Sequence, residues 1–169
     1  MRTITSFLSA PRLKALLALA LAVTLIASES TAATPGPFRN FIGEWSGRGQ
    51  LVGSDGHRES MRCRGEDSEV NGGAAVNEAI VCASESFKCD IRSHVEASGE
   101  SAKGYWTEMS RNASGSLTGR ITESQFEGQI SSPTFSAAVS LTSNGRSQAV
   151  NIRPSGGDVT DVRIDLRRR

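Results

Sequence analysis

Polar and apolar residues alternate along most of this 169-residue chain. In residues 134–142, Phe, Ala, Val and Leu alternate with Ser and Thr, and in 158–167, Val, Ile and Leu alternate with Asp and Arg. Clusters of Gly, Asn, Asp and Ser interrupt the alternation at short intervals, as in Asn71-Gly-Gly73 and Ser143-Asn-Gly145. A period of two bounded by such turn residues predicts half-buried antiparallel strands joined by hairpins.

About ten such runs follow one another, and no window of comparable length shows a helical stripe. An open sheet of that many strands leaves exposed edges, whereas an up-and-down barrel with short connections removes them. The pattern therefore predicts an all-β antiparallel barrel of about 8–10 strands, with a two-sheet β-sandwich as the alternative. The predicted strands are residues 43–53, 57–66, 74–83, 86–96, 101–111, 115–123, 125–131, 134–142, 146–153 and 158–167.

The first 33 residues have the pattern of a signal peptide. Arg2, Arg12 and Lys14 precede an uncharged apolar stretch over 15–27, and small residues follow up to Ala33. A stretch of 13 residues falls short of the ~20 that span a bilayer as a helix. We therefore expect cleavage near residue 33, a periplasmic or secreted protein, no stable membrane insertion, and one domain over 41–169.

Charge gives little indication of a partner. The chain has 19 basic and 18 acidic residues, and without residues 1–33 the counts are 16 and 17. Such a balanced domain has no overall attraction for nucleic acid or for anionic membranes. We therefore predict no nucleic-acid partner.

Three cysteines in an oxidising compartment predict at least one disulfide. A two-residue hairpin loop at Gly72-Gly73 pairs residues whose numbers sum to 145, and Cys63 and Cys82 meet that condition. We therefore favour a Cys63–Cys82 bond, with Cys89 as a free buried thiol. The counting leaves a Cys82–Cys89 bond across the next turn open. The cysteine spacing matches no zinc pattern, so we expect no metal site.

The segment Phe41-Ile-Gly-Glu-Trp-Ser-Gly-Arg-Gly49 resembles the first strand of the calycin superfamily, which comprises the lipocalins and their barrel relatives. Its spacing is particularly similar to that of nitrobindin-like secreted bacterial barrels. The resemblance implies that Gly43 and Trp45 are structural residues that close one end of a barrel. It also implies that the small residues after Trp45 let the strand bend.

The resemblance raises two further expectations. Haem-binding nitrobindins use a histidine, but His57 and His94 lie at positions predicted to face solvent, so we expect no haem and no other cofactor. Lipocalins often pair the tryptophan with an arginine of the last strand. Arg163 and Arg167 are the candidates. The alternation of the last strand places both on the face that does not carry its apolar residues, which argues against a cation–π contact.

The leading functional hypothesis is a barrel that binds a small apolar or amphipathic molecule in its lumen. No arrangement of nucleophile, base and acid stands out, so the chain is expected not to be an enzyme. Either Tyr105 or Trp106 joins the lining, depending on which face of the strand points inward. The candidate lining residues are Met61, Phe87, Ile91, Met109, Phe126, Phe135, Val139 and Ile164.

The alternative hypothesis is a module that binds a protein partner. Periplasmic protease inhibitors with a similar Gly-x-Trp barrel and one disulfide reach the protease through the segment before the barrel. The corresponding leader here is residues 34–40, which Pro35 and Pro37 are expected to keep extended. A structural protein of the cell envelope is a third possibility.

Overall fold

The computed structural model describes residues 36–169, and they form ten antiparallel strands. The predicted signal peptide, residues 1–33, lies outside the described residues. Within the described part of the chain, no helix is long and apolar enough to cross a membrane. The strands are β1 (Gly43–Gly53), β2 (Arg58–Val70), β3 (Ala75–Ala83), β4 (Lys88–Ser98), β5 (Ser101–Glu108), β6 (Ala113–Ile121), β7 (Gln125–Ser132), β8 (Phe135–Ser143), β9 (Ser147–Pro154) and β10 (Val159–Arg168).

The ten strands close into a single up-and-down barrel. Each strand pairs with its neighbours along the chain, and β1 pairs with β10 from Trp45 opposite Arg168 to Gly53 opposite Val159. This seam confirms the barrel and excludes the two-sheet sandwich. Nine of the ten strands differ from their predicted bounds by one to four residues, and β1 matches them. The largest difference is at β2, which extends to Val70 instead of ending at 66.

Glycine at position 47 allows the first strand to lie close to the last one. A Cβ added to Gly47 would lie only 1.8 Å from the carbonyl oxygen of Asp165 in β10, so the contact excludes any side chain. Gly43 has a φ of 140°, and a Cβ there would meet the guanidinium of Arg168 at 2.9 Å. Both positions therefore require glycine, Gly47 because of the close approach of β10 and Gly43 because of its positive φ.

Inward-facing side chains fill the barrel in two clusters of buried residues. The disulfide cluster consists of Trp45, Met61, Cys63, Cys82, Val150, Ile164 and Leu166. The cavity cluster surrounds a small internal space and consists of Phe38, Phe41, Val76, Val95, Ala102, Trp106, Leu117, Ile121 and Phe126. Trp45 is fully buried within the disulfide cluster.

Residues 36–42, here called the plug, pack against the barrel end at which β1 begins. Residues 37–41 form turns, with the Phe41 N–H donating to the Phe38 carbonyl at 2.8 Å. Phe38 and Phe41 are both 3% exposed. The expectation of an extended leader over 34–40 is therefore wrong for residues 37–40, because burial of two aromatic rings outweighs the local preference of Pro37. Residues 34 and 35 lie outside the described residues.

The Cys63–Cys82 disulfide is present, and Cys89 is a free thiol. The register is the predicted one, with Cys63 directly opposite Cys82. The connection is a short 3₁₀ turn over Asn71–Gly73, and Gly72 and Gly73 both have positive φ. Cys89 is half-buried and not fully buried as expected. Its position near the end of the barrel, one residue inside the start of β4, explains the remaining exposure.

Candidate functional site

The barrel contains a cavity of about 60 Å³ beside the plug. Phe38 and Phe41 of the plug form one wall, and strands β3, β4 and β6–β8 supply the rest. Among residues 36–169, Glu78 is the one polar residue that borders this space. The lining residues are Phe38, Phe41, Glu78, Val95, Leu117, Ile121, Phe126, Val139 and Leu141.

Glu78 lies directly opposite Asp67 of the neighbouring strand, on the inward face that also carries Cys63 and Cys82, and both residues are partly buried. Burial and then repulsion by Glu78 raise the pKa of Asp67 to about 8. Burial also raises the pKa of Glu78, although the hydroxyl of Ser93, which donates to its Oε2, opposes the shift. At neutral pH Asp67 therefore keeps its proton, and burial likewise opposes ionisation of Glu78, whose side chain borders the cavity as a possible hydrogen-bond partner.

The carboxyl pair is connected to the plug through Gln148. The side-chain Nε2 of Gln148 donates to the Phe41 carbonyl at 3.0 Å and to Asp67 Oδ2 at 3.2 Å. The same Phe41 carbonyl accepts a hydrogen bond of 2.9 Å from Nε1 of Trp45. Trp45 and Gln148 thus hold the plug at the backbone of Phe41, which places the Phe38 and Phe41 rings over the cavity.

Arg168 completes this end of the barrel, and sequence reasoning missed it. Its guanidinium lies 5.0 Å from the centre of the Trp45 ring, and its NH2 donates to the Ile42 carbonyl at 2.5 Å. Arg163 and Arg167, the candidates named from the sequence, point outward as their alternation predicted. The signal was present in the sequence, because Arg168 shares its parity with the inward residues Ile164 and Leu166.

Two of the eight candidate lining residues, Phe126 and Val139, line the cavity. Met61 and Ile164 face inward but are buried in the disulfide cluster. The structure therefore does not bring the eight together as one site.

The other four candidates lie towards the opposite end of the barrel, and Ile91 and Phe87 are half-buried there. Phe135, 37% exposed, contacts the Trp106 ring edge-on with centroids 6.2 Å apart. The assignment of Met109 to the lumen is wrong: it is 59% exposed, because β5 ends at Glu108 and Met109 begins the turn. Of the two aromatic alternatives on β5, Trp106 points inward and Tyr105 outward.

Sequence reasoning missed the carboxyls at the site. Asp67 lies just beyond residue 66, where the second strand was predicted to end, so the alternation assigned it to neither face of the sheet. The register that pairs Cys63 with Cys82 also pairs Asp67 with Glu78, since both pairs of residue numbers sum to 145. The same counting could therefore have predicted that these two carboxyls are neighbours. Phe38 and Phe41 were missed because alternation identifies inward residues only within strands.

The two histidines lie away from the cavity. His57 is exposed next to the turn after β1. His94 is on the outer face, where its ring stacks on Tyr105 with centroids 5.4 Å apart and contacts Asn77 Oδ1 at 2.7 Å. Among residues 36–169 no three His, Cys, Asp or Glu side chains are grouped to hold a metal ion.

No family model and no curated protein matches the sequence. Among solved structures, the fold is similar to that of Rv2717c from M. tuberculosis, with a TM-score of 0.58 and 14% identity over 76% of this chain and 92% of that one. It is also similar to the S-type phycobiliprotein lyase CPES from Guillardia theta, with a TM-score of 0.52 and 12% identity over 78% and 90%. At these identities the likeness concerns the fold alone: the chain is a lipocalin-like barrel.

The comparison corrects the expectation that the chain is not an enzyme. That expectation treated the lack of a familiar catalytic motif in such a barrel as evidence against catalysis. CPES is a lyase with a similar barrel, so the argument is wrong.

Proposed function

We propose that this protein binds a small amphipathic molecule inside its barrel, with the apolar part in the cavity and a polar atom at Glu78. The observation that carries the proposal is a small cavity bordered by eight apolar residues and by Glu78. Apolar walls with few polar groups that fix orientation are typical of ligand sites. A lipocalin-like fold agrees with this function.

The size of the cavity limits the ligand. Sites for drug-sized molecules have volumes of roughly 300–1,000 Å³, whereas this space measures about 60 Å³. A single water needs roughly 10–15 Å³ by the same kind of measure, so the cavity admits about five non-hydrogen atoms. A longer ligand requires the plug to move. We infer a short-chain alcohol or a molecule of similar polarity, since a hydroxyl can donate a hydrogen bond to a carboxyl oxygen and can also accept one from a carboxylic acid.

The buried position of the plug argues against the first alternative, a module that binds a protease through the segment before the barrel. A protease-binding arm has to be free to extend, but Phe38 and Phe41 are buried and the Asn40 carbonyl accepts a hydrogen bond from Ser143 Oγ. No observation favours a structural envelope protein.

We also propose that the protein is exported and that residues 1–33 are its signal peptide. The disulfide agrees with an oxidising compartment, where such bonds form and persist. The spacing of residues 41–49 also supports the proposed export, because it is similar to that of nitrobindin-like secreted barrels.

A titration with 1-butanol, followed by amide NMR shifts, tests the proposed site. We expect saturable shifts at Leu117, Phe126 and Val139. Replacing Val139 with Phe adds about four carbon atoms to the lining and should abolish the saturable response. Tyr105→Ala, a change on the outer face, is the matched control and should leave the response unchanged. Absence of saturable shifts in the wild-type protein would overturn the proposal.

A further inference from the structure

The three cysteines lie in one row across three adjacent strands. The β2–β3 register places Cys63 opposite Cys82, and the β3–β4 register places Cys82 opposite Cys89. Cys63 and Cys82 are buried in the disulfide cluster, and Cys89 packs against that cluster. Cys82 therefore has one cysteine on each side, on the same face of the sheet.

Backbone geometry allows Cys82 to bond with either neighbour. The Cα atoms of Cys63 and Cys82 are 4.1 Å apart, a separation typical of non-hydrogen-bonded pairs. The Ser84 N–H donates to the Phe87 carbonyl at 2.8 Å, so Ser84 and Phe87 form a hydrogen-bonded pair. Because the two pair types alternate along an antiparallel ladder, the Cys82–Cys89 pair, two residues further along each strand, is also hydrogen-bonded. Such pairs have Cα atoms about 5.5 Å apart, within the range that disulfides bridge.

We propose that Cys82 exchanges its disulfide partner between Cys63 and Cys89. The thiolate of Cys89 attacks Sγ of Cys82, the new Cys82–Cys89 bond forms as the Cys63–Cys82 bond breaks, and Cys63 leaves as a thiolate. Cys63 then takes up the proton that Cys89 released. One disulfide and one thiol are present before and after the step, so no oxidant or reductant is needed. The row places Cys89 and Cys63 on opposite sides of Cys82, as the attacking and leaving residues of such an exchange have to lie.

The exchange moves a covalent link without changing the fold. The link passes from the β2–β3 pair to the β3–β4 pair, and both pairs keep the register that the barrel already has. The free thiol moves from β4 to Cys63, which lies opposite Gly47 of β1. The barrel thereby has two disulfide isomers of one topology, with the reactive thiol on different strands.

Alkaline pH favours the exchange. Burial raises the pKa of the Cys89 thiol, while a backbone hydrogen bond from Cys82 lowers it. The carboxylates of Glu108 and Asp90 raise this pKa further, and Arg111 lowers it. The thiol therefore dominates at neutral pH. Because the thiolate is the attacking species, the rate should rise about tenfold per pH unit below that pKa.

Single variants of the full chain test whether Cys82 can use either neighbour. In a glutathione redox buffer, non-reducing peptide mapping of Cys63→Ser should show a Cys82–Cys89 crosslink, and Cys89→Ser should keep Cys63–Cys82. Cys82→Ser is the control: its remaining cysteines lie two strands apart, about 9–10 Å, beyond disulfide reach. Cys63→Ser with both remaining thiols free would overturn the proposal.

Mapping the free thiol of the wild-type protein tests the exchange itself. The protein is incubated at pH 8.5, quenched with acid, unfolded under acidic conditions and alkylated with a maleimide. We expect the label on Cys63 as well as on Cys89, with the Cys63 label appearing about tenfold faster for each pH unit between 6.5 and 8.5. Label confined to Cys89 throughout that range would contradict the exchange even if Cys63→Ser folds poorly.

Discussion

At the scale of single residues, Trp45 links the barrel wall to the plug. Its ring is fully buried and contacts the Arg168 guanidinium, and its Nε1 holds the Phe41 carbonyl. Trp45 thus acts through structure and lies outside the cavity lining.

Trp45→Ala should lower the free energy of unfolding by about 3–5 kcal/mol, the usual cost of emptying a buried aromatic site. Chemical denaturation of the variant and the wild-type protein measures this difference. Tyr105→Ala is the control, because Tyr105 is 61% exposed and its loss should cost far less. Equal stability of the Trp45 variant and the wild-type protein would remove the basis for a structural role of Trp45 at this end of the barrel.

Asp67 should make stability fall as pH rises. The pKa of Asp67 is about 8 in the folded protein and about 3.9 in an unfolded chain. Between these values the unfolded state ionises while the folded state keeps its proton, so stability decreases by up to about 1.4 kcal/mol per pH unit. Asp67→Asn should flatten this profile and be more stable than wild type at pH 8.

Denaturation from pH 4 to 8 compares the two profiles, with Glu127→Gln on the exposed side of β7 as the control. Parallel profiles for wild type and Asp67→Asn would mean that the carboxyl is ionised inside the barrel.

At the scale of elements, the plug is the segment on which the cavity depends. It is too short to have a core of its own, and its position rests on two buried rings and on hydrogen bonds to its backbone. The strands, in contrast, are held by continuous ladders on both sides. Local opening should therefore begin at the plug.

Phe41→Ala should destabilise the protein by about 3–5 kcal/mol and increase amide exchange across residues 36–42 before it affects the strands. Hydrogen-exchange mass spectrometry measures both effects region by region. Phe135→Ala removes the same ring at a site that is 37% exposed and should leave the plug protected. Uniformly faster exchange throughout the barrel of Phe41→Ala would show that the plug does not open independently.

Alternation and turn residues predicted the strands well, because each strand has one side towards the core and one towards solvent. The register of β2 and β3 was also predictable from the position of a glycine turn. The plug was not, since a run of turns carries no periodicity that identifies Phe38 and Phe41 as buried. The cavity could not be predicted from the sequence either, because its volume depends on how side chains from distant strands fit together.

At the scale of the whole molecule, closure of the barrel depends on the β1–β10 seam. Removing residues 164–169 should leave most of β1 and β9 as unpaired edges, and such edges pair with other chains. We expect oligomers or aggregates in size-exclusion chromatography coupled to light scattering. Removal of Arg169 alone, which lies beyond β10, should not change the oligomeric state. An unchanged oligomeric state in the longer truncation would contradict the importance of this seam.

A crystal structure of the protein soaked with 2-bromoethanol tests ligand binding in the barrel most directly. Bromine gives an anomalous signal, and the molecule has few enough atoms for a cavity of about 60 Å³. We predict a bromine peak between Phe126 and Val139, with the hydroxyl within hydrogen-bonding distance of Glu78. A fully occupied peak elsewhere on the protein, with an empty cavity, would contradict the proposed function.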